Sequence, residues 1–174
     1  MKILVVSDTH RRDENLWAVI RKEAPFDMMI HMGDSEGSEE CFGDWVRSDS
    51  CEIHVVRGNN DFFSRTPKDA EIEIGGHRAF LTHGHLYGVS MGTEILEDEA
   101  RDRGVEIVMY GHTHKPHLEI CADGLLILNP GSLSYPRQSD RKSTYAVMNL
   151  DENGHLEAQI CRLEDHEKIL EEIF

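Results

Sequence analysis

Apolar residues in this 174-residue chain come in short runs, and their spacing switches between the strand and helix periods. Residues 2–6, Lys2-Ile3-Leu4-Val5-Val6, form a continuous β-branched run that predicts a buried strand. Residues 14–23 place Leu16, Trp17, Val19 and Ile20 on one face of a helix that Pro25 stops. A second buried strand spans 28–32 and breaks at Gly33-Asp34. A short helix follows at 39–46, and a third strand at 52–56 ends in Arg57-Gly58-Asn59-Asn60-Asp61. The second half reads as hairpins. Residues 70–74 and 78–82 alternate around Gly75-Gly76, 117–121 and 125–128 flank Ala122-Asp123-Gly124, and 144–150 and 155–161 flank Glu152-Asn153-Gly154. Between them, 93–103 predicts a helix and 106–110 a buried strand closed by Gly111. Residues 163–174, with Leu163, Leu170, Ile173 and Phe174, predict a terminal helix.

Strand–helix units followed by hairpins, with no internal repeat and no Gly/Ser linker, predict an α/β protein of two mixed sheets packed together with helices outside. The expectation is one domain over residues 1–174, within the usual range of about 100–200 residues. Hydrophobic residues at 39% and charged residues at 29% exclude a disordered or fibrous chain. No apolar run approaches the roughly 18 residues a membrane span requires, and Ile3-Leu4-Val5-Val6 is too short for a signal-peptide core. These features predict a soluble, cytoplasmic protein with no membrane partner. The four cysteines, at 41, 51, 121 and 161, form no CxxC and read as buried hydrophobes or surface thiols.

The formal net charge is −15, which argues against binding long DNA or RNA, a task that rests on Lys and Arg. Metal ions can still make one local site positive. Five predicted strands are each followed directly by candidate ligands: Asp8-Thr9-His10, Gly33-Asp34, Gly58-Asn59-Asn60-Asp61, His83-Gly84-His85 and Gly111-His112-Thr113-His114. Each alone is ordinary turn chemistry. His112 and His114, two residues apart, would face the same side of an extended segment. Ligands of α/β sheets gather beyond the carboxyl ends of the strands, so the five clusters converge on one site. Asp, Asn and neutral imidazole suit Mn²⁺, Fe²⁺, Zn²⁺ or a mixed pair, and no Cys joins them. A pair of ions about 3.5–4 Å apart needs a bridging carboxylate, and Asp34, the lone carboxylate on its short loop, is the natural bridge.

In this order the motifs, from Ile3-Leu4-Val5-Val6-Ser7-Asp8-Thr9-His10 to Asn129-Pro130-Gly131-Ser132, resemble the calcineurin-like metallophosphoesterases, in particular their small stand-alone phosphodiesterase branch. The resemblance implies a four-layer α/β/β/α sandwich with two divalent ions at the strand ends, Mn²⁺ first, with Ni²⁺, Zn²⁺ or Fe²⁺ as options. It implies that Asp8, His10 and His114 hold one ion and Asn59, His83 and His112 the other, with Asp34 between them. The implied reaction is hydrolysis of a small phosphoester by a metal-bound hydroxide. Two positions depart from the family pattern. Asn60 stands where many relatives carry a His that assists the leaving group or a phosphate oxygen, and Arg11 where many carry Gly.

Asn60 and His85 are the candidates for a role beside the ions. For His85 a phosphate contact and a solvent-facing loop are both open. Asp61 orients a liganding His or caps a turn, and Asn129-Pro130-Gly131-Ser132 buttresses the site. His31, His54, His77, His117, His155 and His166 lie outside the clusters and are expected to do nothing catalytic. The rival readings are a non-catalytic metal-binding scaffold of the same fold, and a nuclease or cyclic-nucleotide phosphodiesterase. The completeness of the ligand set favours the enzyme, and a homodimer or homotetramer stays open.

Overall fold

A computed structural model describes residues 1–48, 50–164 and 168–174. Eleven strands among them form two mixed sheets. The first holds β1 (Lys2–Val6), β2 (Met28–His31), β3 (Glu52–Val55), β9 (Thr144–Leu150), β10 (Leu156–Arg162) and β11 (Lys168–Ile173) in the order β11-β10-β9-β1-β2-β3. The second holds β4 (Asp69–Ile74), β5 (His77–Thr82), β6 (Ile107–Met109), β7 (Pro116–Ile120) and β8 (Leu126–Pro130) in the order β4-β5-β6-β8-β7. In the first sheet β1–β2 and β2–β3 are parallel and the remaining pairs antiparallel; in the second the central pairs β5–β6 and β6–β8 are parallel and the outer pairs antiparallel. The three predicted hairpins are β4–β5, β7–β8 and β9–β10.

The strand period builds the layers. In β1, Ile3 and Val5 face the core between the sheets, with Met28, Ile30, Leu81, Met109 and Leu128. Leu4 and Val6 point the other way and pack on Leu16, Val19 and Ile20 of α1 (Asp13–Glu23) and Phe42 of α2 (Phe42–Val46). The outer face of the second sheet, with Phe80, Val108 and Ile127, is covered by Leu96 and Ala100 of α3 (Glu94–Arg103). Strands buried on both faces read as unbroken apolar runs for this reason. The result is the expected α/β/β/α sandwich.

Two expectations are corrected. The helix expected over 39–46 divides into a 3₁₀ turn, Ser38–Cys41, and the single turn of α2. The C-terminal segment is not a helix: its described part, β11, pairs antiparallel with β10, and Ile169 and Phe174 pack on the inter-sheet core. The free edge of β10 supplies backbone partners that outweigh the local helical pattern. His166 lies outside the described residues. No helix among the described residues is long and apolar enough to cross a membrane.

Candidate metal centre

The parallel strands β1, β2, β3, β5 and β6 end on one rim, and the five ligand-bearing turns follow them. Cross-links between turns set their relative heights. The Asp8 N–H donates to the Gly33 carbonyl oxygen (3.0 Å) and the His10 N–H to that of Asp34 (2.9 Å). Between the sheets, the His112 N–H donates to Asp8 Oδ2 (3.2 Å), and within the second sheet the Gly111 N–H donates to the His83 carbonyl oxygen (3.1 Å).

Asp8, His10, Asp34 and His114 each offer a ligand atom, and these atoms lie within 4.8 Å of one another. Beside them, Asn59 Oδ1 lies 3.2 Å from His83 Nε2 and 2.8 Å from His112 Nδ1, and His83 Nε2 is 3.5 Å from Asp34 Oδ2. Asp34 touches both groups. All seven sequence-predicted ligands therefore surround one small volume.

The donor atoms fit a cation. His114 Nδ1 is 2.7 Å from the Tyr135 carbonyl oxygen and His83 Nδ1 is 2.6 Å from that of Met32, so each donates its proton there. His10 Nδ1 faces Glu36 Oε1 at 2.7 Å. In the neutral rings every Nε2 then turns a lone pair inward. His10 Nε2 and His114 Nε2 are 3.4 Å apart, and His114 Nε2 is 3.0 Å from Asp8 Oδ1, a buried oxygen that accepts no hydrogen bond. Acceptor facing acceptor at these distances calls for a proton or a metal ion between them.

The charges make the same demand. Asp8 and Asp34 are buried carboxylates, and among the described residues no Lys or Arg pairs with either. Burial raises the Asp8 carboxyl, but His114 at 3.0 Å and the charge of His83 hold it below its ordinary value. Burial likewise raises Asp34, and His83 together with the Asn60 donors pulls it well below. Burial lowers His83, yet Asp34 and Asp8 outweigh that and raise it, so the two carboxylates favour positive charge beside them. Burial and the His83 charge lower His85 and His112.

Backbone strain is concentrated here. Of nine non-glycine residues with positive φ among the described residues, five are Asp8, His10, Asp34, His112 and His114, and Arg11 and Glu36 adjoin them. Each such residue costs roughly 1–2 kcal/mol, and strain of this kind clusters at functional sites. It also corrects the expectation of an extended His112-Thr113-His114: left-handed turns at φ 65° and 58° send His112 toward Asn59 and His114 toward Asp8. Gly58 is required by close approach, since a Cβ there would collide with the Asp34 carboxylate.

Other residues support the centre. Asp61 caps the turns: Oδ2 accepts the N–H groups of Asp34 and Gly58 (both 2.7 Å), and Oδ1 accepts that of Glu36 (2.6 Å). Asn129 Nδ2 donates to the Gly111 carbonyl (2.9 Å), and Ser132 Oγ to that of Asp8 (2.9 Å). The Asn60 amide is committed to Asp34, with Nδ2 2.7 Å from Oδ2 and its N–H 2.8 Å from Oδ1. The His85 ring lies 5.4 Å from His83 and 6.1 Å from His112, with its Nδ1 buried and unpartnered. Sequence reasoning missed Glu36 and Tyr135. Glu36 follows Asp34 by two residues, a faint signal, whereas Tyr135 acts through a carbonyl that no side chain announces.

His31, expected to do nothing catalytic, has a structural part: it ties two of the turns together. Its Nδ1 accepts the Gly33 N–H (3.1 Å), and its Nε2 lies 3.1 Å from Thr9 Oγ1. Complete burial pushes its pKa down to about 4 from 6.5. Its neutral form is the folded form, so this contribution is whole above pH 6.5 and is lost as pH falls toward 4. The loss is of order 3 kcal/mol at the acid end. Urea unfolding at pH 7.5 and 4.5 is expected to show a steeper acid loss for the wild type than for His31→Asn, and equal losses would refute it.

A sequence model of the Calcineurin-like phosphoesterase superfamily domain matches residues 1–153. The chain is 32% identical to Probable metallophosphoesterase YsnB of Bacillus subtilis over 88% of its own length and 87% of the relative's. It is 30% identical to Phosphodiesterase YfcE of Escherichia coli over 58% of this chain and 54% of that one. The solved structure of a Streptococcus pneumoniae protein described as a predicted phosphoesterase superposes with a TM-score of 0.81 at 31% identity, covering 99% of this chain and 96% of the other. A match across most of the length, on a shared fold, makes this chain a member of the calcineurin-like phosphoesterase superfamily.

Proposed function

We propose that the chain is a phosphodiesterase that works with two divalent ions, Mn²⁺ foremost and Ni²⁺, Zn²⁺ or Fe²⁺ as substitutes. Asp8, His10 and His114 would hold one and Asn59, His83 and His112 the other, with Asp34 shared. Two such ions, when bound, supply Lewis acidity for a phosphoryl oxygen and lower the pKa of a water. The observation that carries this reading is the set of inward lone pairs around Asp8 Oδ1, which accepts no hydrogen bond. The chain's own part is to hold that set still. Glu36 and the carbonyl groups of Met32 and Tyr135 fix three imidazole tautomers, and Asp61 fixes the turn that carries Asp34.

His85, whose ring lies 5.4 Å from that of His83, would meet a phosphate oxygen. Asn60 has no acidic proton, so leaving-group departure gains nothing from it, and acidic aryl leaving groups are favoured over alkyl ones. The substrate is a small phosphodiester, long nucleic acid being repelled by the net charge of −15, and the acting compartment is the cytoplasm. The test is a screen of phosphodiesters and monoesters with Mn²⁺, Ni²⁺, Zn²⁺ and Mg²⁺ added in turn. Turnover of bis(p-nitrophenyl) phosphate with Mn²⁺ is expected. Inertness toward every ester with every ion would leave the scaffold reading standing.

A further inference from the structure

Next to the centre lies a groove of about 310 Å³ lined by Arg11, Glu36, Glu40, Asn60, Phe62 and Phe63, among others. Its volume is at the small end of the range for ligand pockets. Its inner end joins the centre, because Asn60 bonds to Asp34 and Glu36 to His10. Its outer wall is unusual for a chain this acidic: Phe62 is 78% exposed and Phe63 is 99% exposed.

The two rings stand on a braced loop. Asp61, immediately before them, is buried and accepts three backbone N–H groups from the Asp34 and Gly58 turns. Phe62 donates its N–H to the Asn60 carbonyl (3.0 Å), and Ser64 to that of Asp61 (3.2 Å). Arg11, in the left-handed region at φ 58°, holds an exposed guanidinium that makes no hydrogen bond or ion pair among the described residues. Glu40 is likewise exposed with an uncommitted carboxylate.

We propose that this groove is the subsite for one ester group of the substrate, and that this group is a planar aromatic carrying N–H donors, as an aminopurine or aminopyrimidine nucleoside does. The inference rests on the phosphodiesterase reading above and names the substrate class for it. Aromatic faces stack on bases without regard to sequence, so Phe62 and Phe63 supply a platform. Glu40 accepts from an exocyclic amine. Arg11 reaches a phosphate oxygen as a charge-assisted donor. Four acidic residues line the groove, Glu36, Glu39, Glu40 and Asp61, and repel a second phosphate, so nucleoside diphosphates and triphosphates are excluded.

The test is calorimetric titration of the Mn²⁺-loaded protein with inorganic phosphate, ribose 5-phosphate and AMP. AMP is expected to bind on the order of tenfold more tightly than ribose 5-phosphate. The Phe62→Ala, Phe63→Ala double variant, whose rings are exposed and whose thermal midpoint should match the wild type, is expected to bring that ratio below about 2. Arg11→Gly is expected to weaken all three ligands, with a shallower salt dependence. If phosphate binds but AMP and ribose 5-phosphate bind equally, the subsite is wrong and the centre stands. If the double variant lowers the sedimenting mass and leaves the AMP ratio unchanged, the rings face a second copy of this chain, which also overturns the subsite. If no phosphate ligand binds the loaded protein, the phosphodiesterase reading itself falls.

Discussion

Stripping Mn²⁺-reconstituted protein with a chelator is expected to reduce hydrolysis of bis(p-nitrophenyl) phosphate by about 10³-fold or more, and Mn²⁺ is expected to restore it. The magnitude follows from the several kcal/mol of charge stabilisation a bound ion provides, at 1.36 kcal/mol per factor of ten. Among the described residues no Lys or Arg pairs with Asp8 or Asp34 to replace it: both are buried with imidazoles beside them, and Asn60 is an amide. Thermal unfolding gives an independent reading of the same site. Ions that bind only the folded chain stabilise it by about 4 kcal/mol at a thousand times the dissociation constant, so the midpoint should climb with Mn²⁺ and fall back with chelator. Undiminished turnover in exhaustively metal-free protein would end the two-ion reading.

Replacing Asp34 by Asn should cost metal binding and rate together. Asp34 is the carboxylate that approaches both groups, with His10 Nε2 at 3.8 Å and His83 Nε2 at 3.5 Å. A unit charge pair 4 Å apart is worth about 4 kcal/mol at an effective dielectric of 20, so losing this charge predicts a fall in ion affinity of about 10³-fold. Calorimetry with Mn²⁺ is expected to show one tight site or none in Asp34→Asn. His155→Gln, at an exposed hydrogen-bonded pair with Asp151, should bind and turn over as the wild type does. Normal occupancy and turnover in Asp34→Asn would remove Asp34 from the bridging position.

The two expectations share one cause. An acidic chain has built a pocket of acceptors, held it in strained backbone, and left the positive charge to come from outside. The strain is informative because five of the residues that bear it are the candidate ligands themselves. Asp61 shows how the geometry is kept: one buried carboxylate joins three backbone N–H groups from two different turns.

The sequence by itself determined the elements whose causes are local. The apolar run of β1, the Gly75-Gly76 hairpin and the strand–turn sites of Asp8, Asp34, Asn59, His83 and His112 follow from side-chain period and turn chemistry, which act over a few residues. The convergence of the five turns was legible as well, because parallel strands must end on one rim. The tertiary structure alone decided what depends on distant backbone. Residues 168–173 became β11 because β10, not their own pattern, offered partners. The carbonyl oxygens of Met32 and Tyr135 chose which nitrogen of His83 and His114 faces inward, and left-handed turns sent His112 and His114 to different groups. Glu36, His31 and the groove beneath Phe62 and Phe63 were equally hidden, since carbonyl positions, burial and the space between loops are properties of the packed chain.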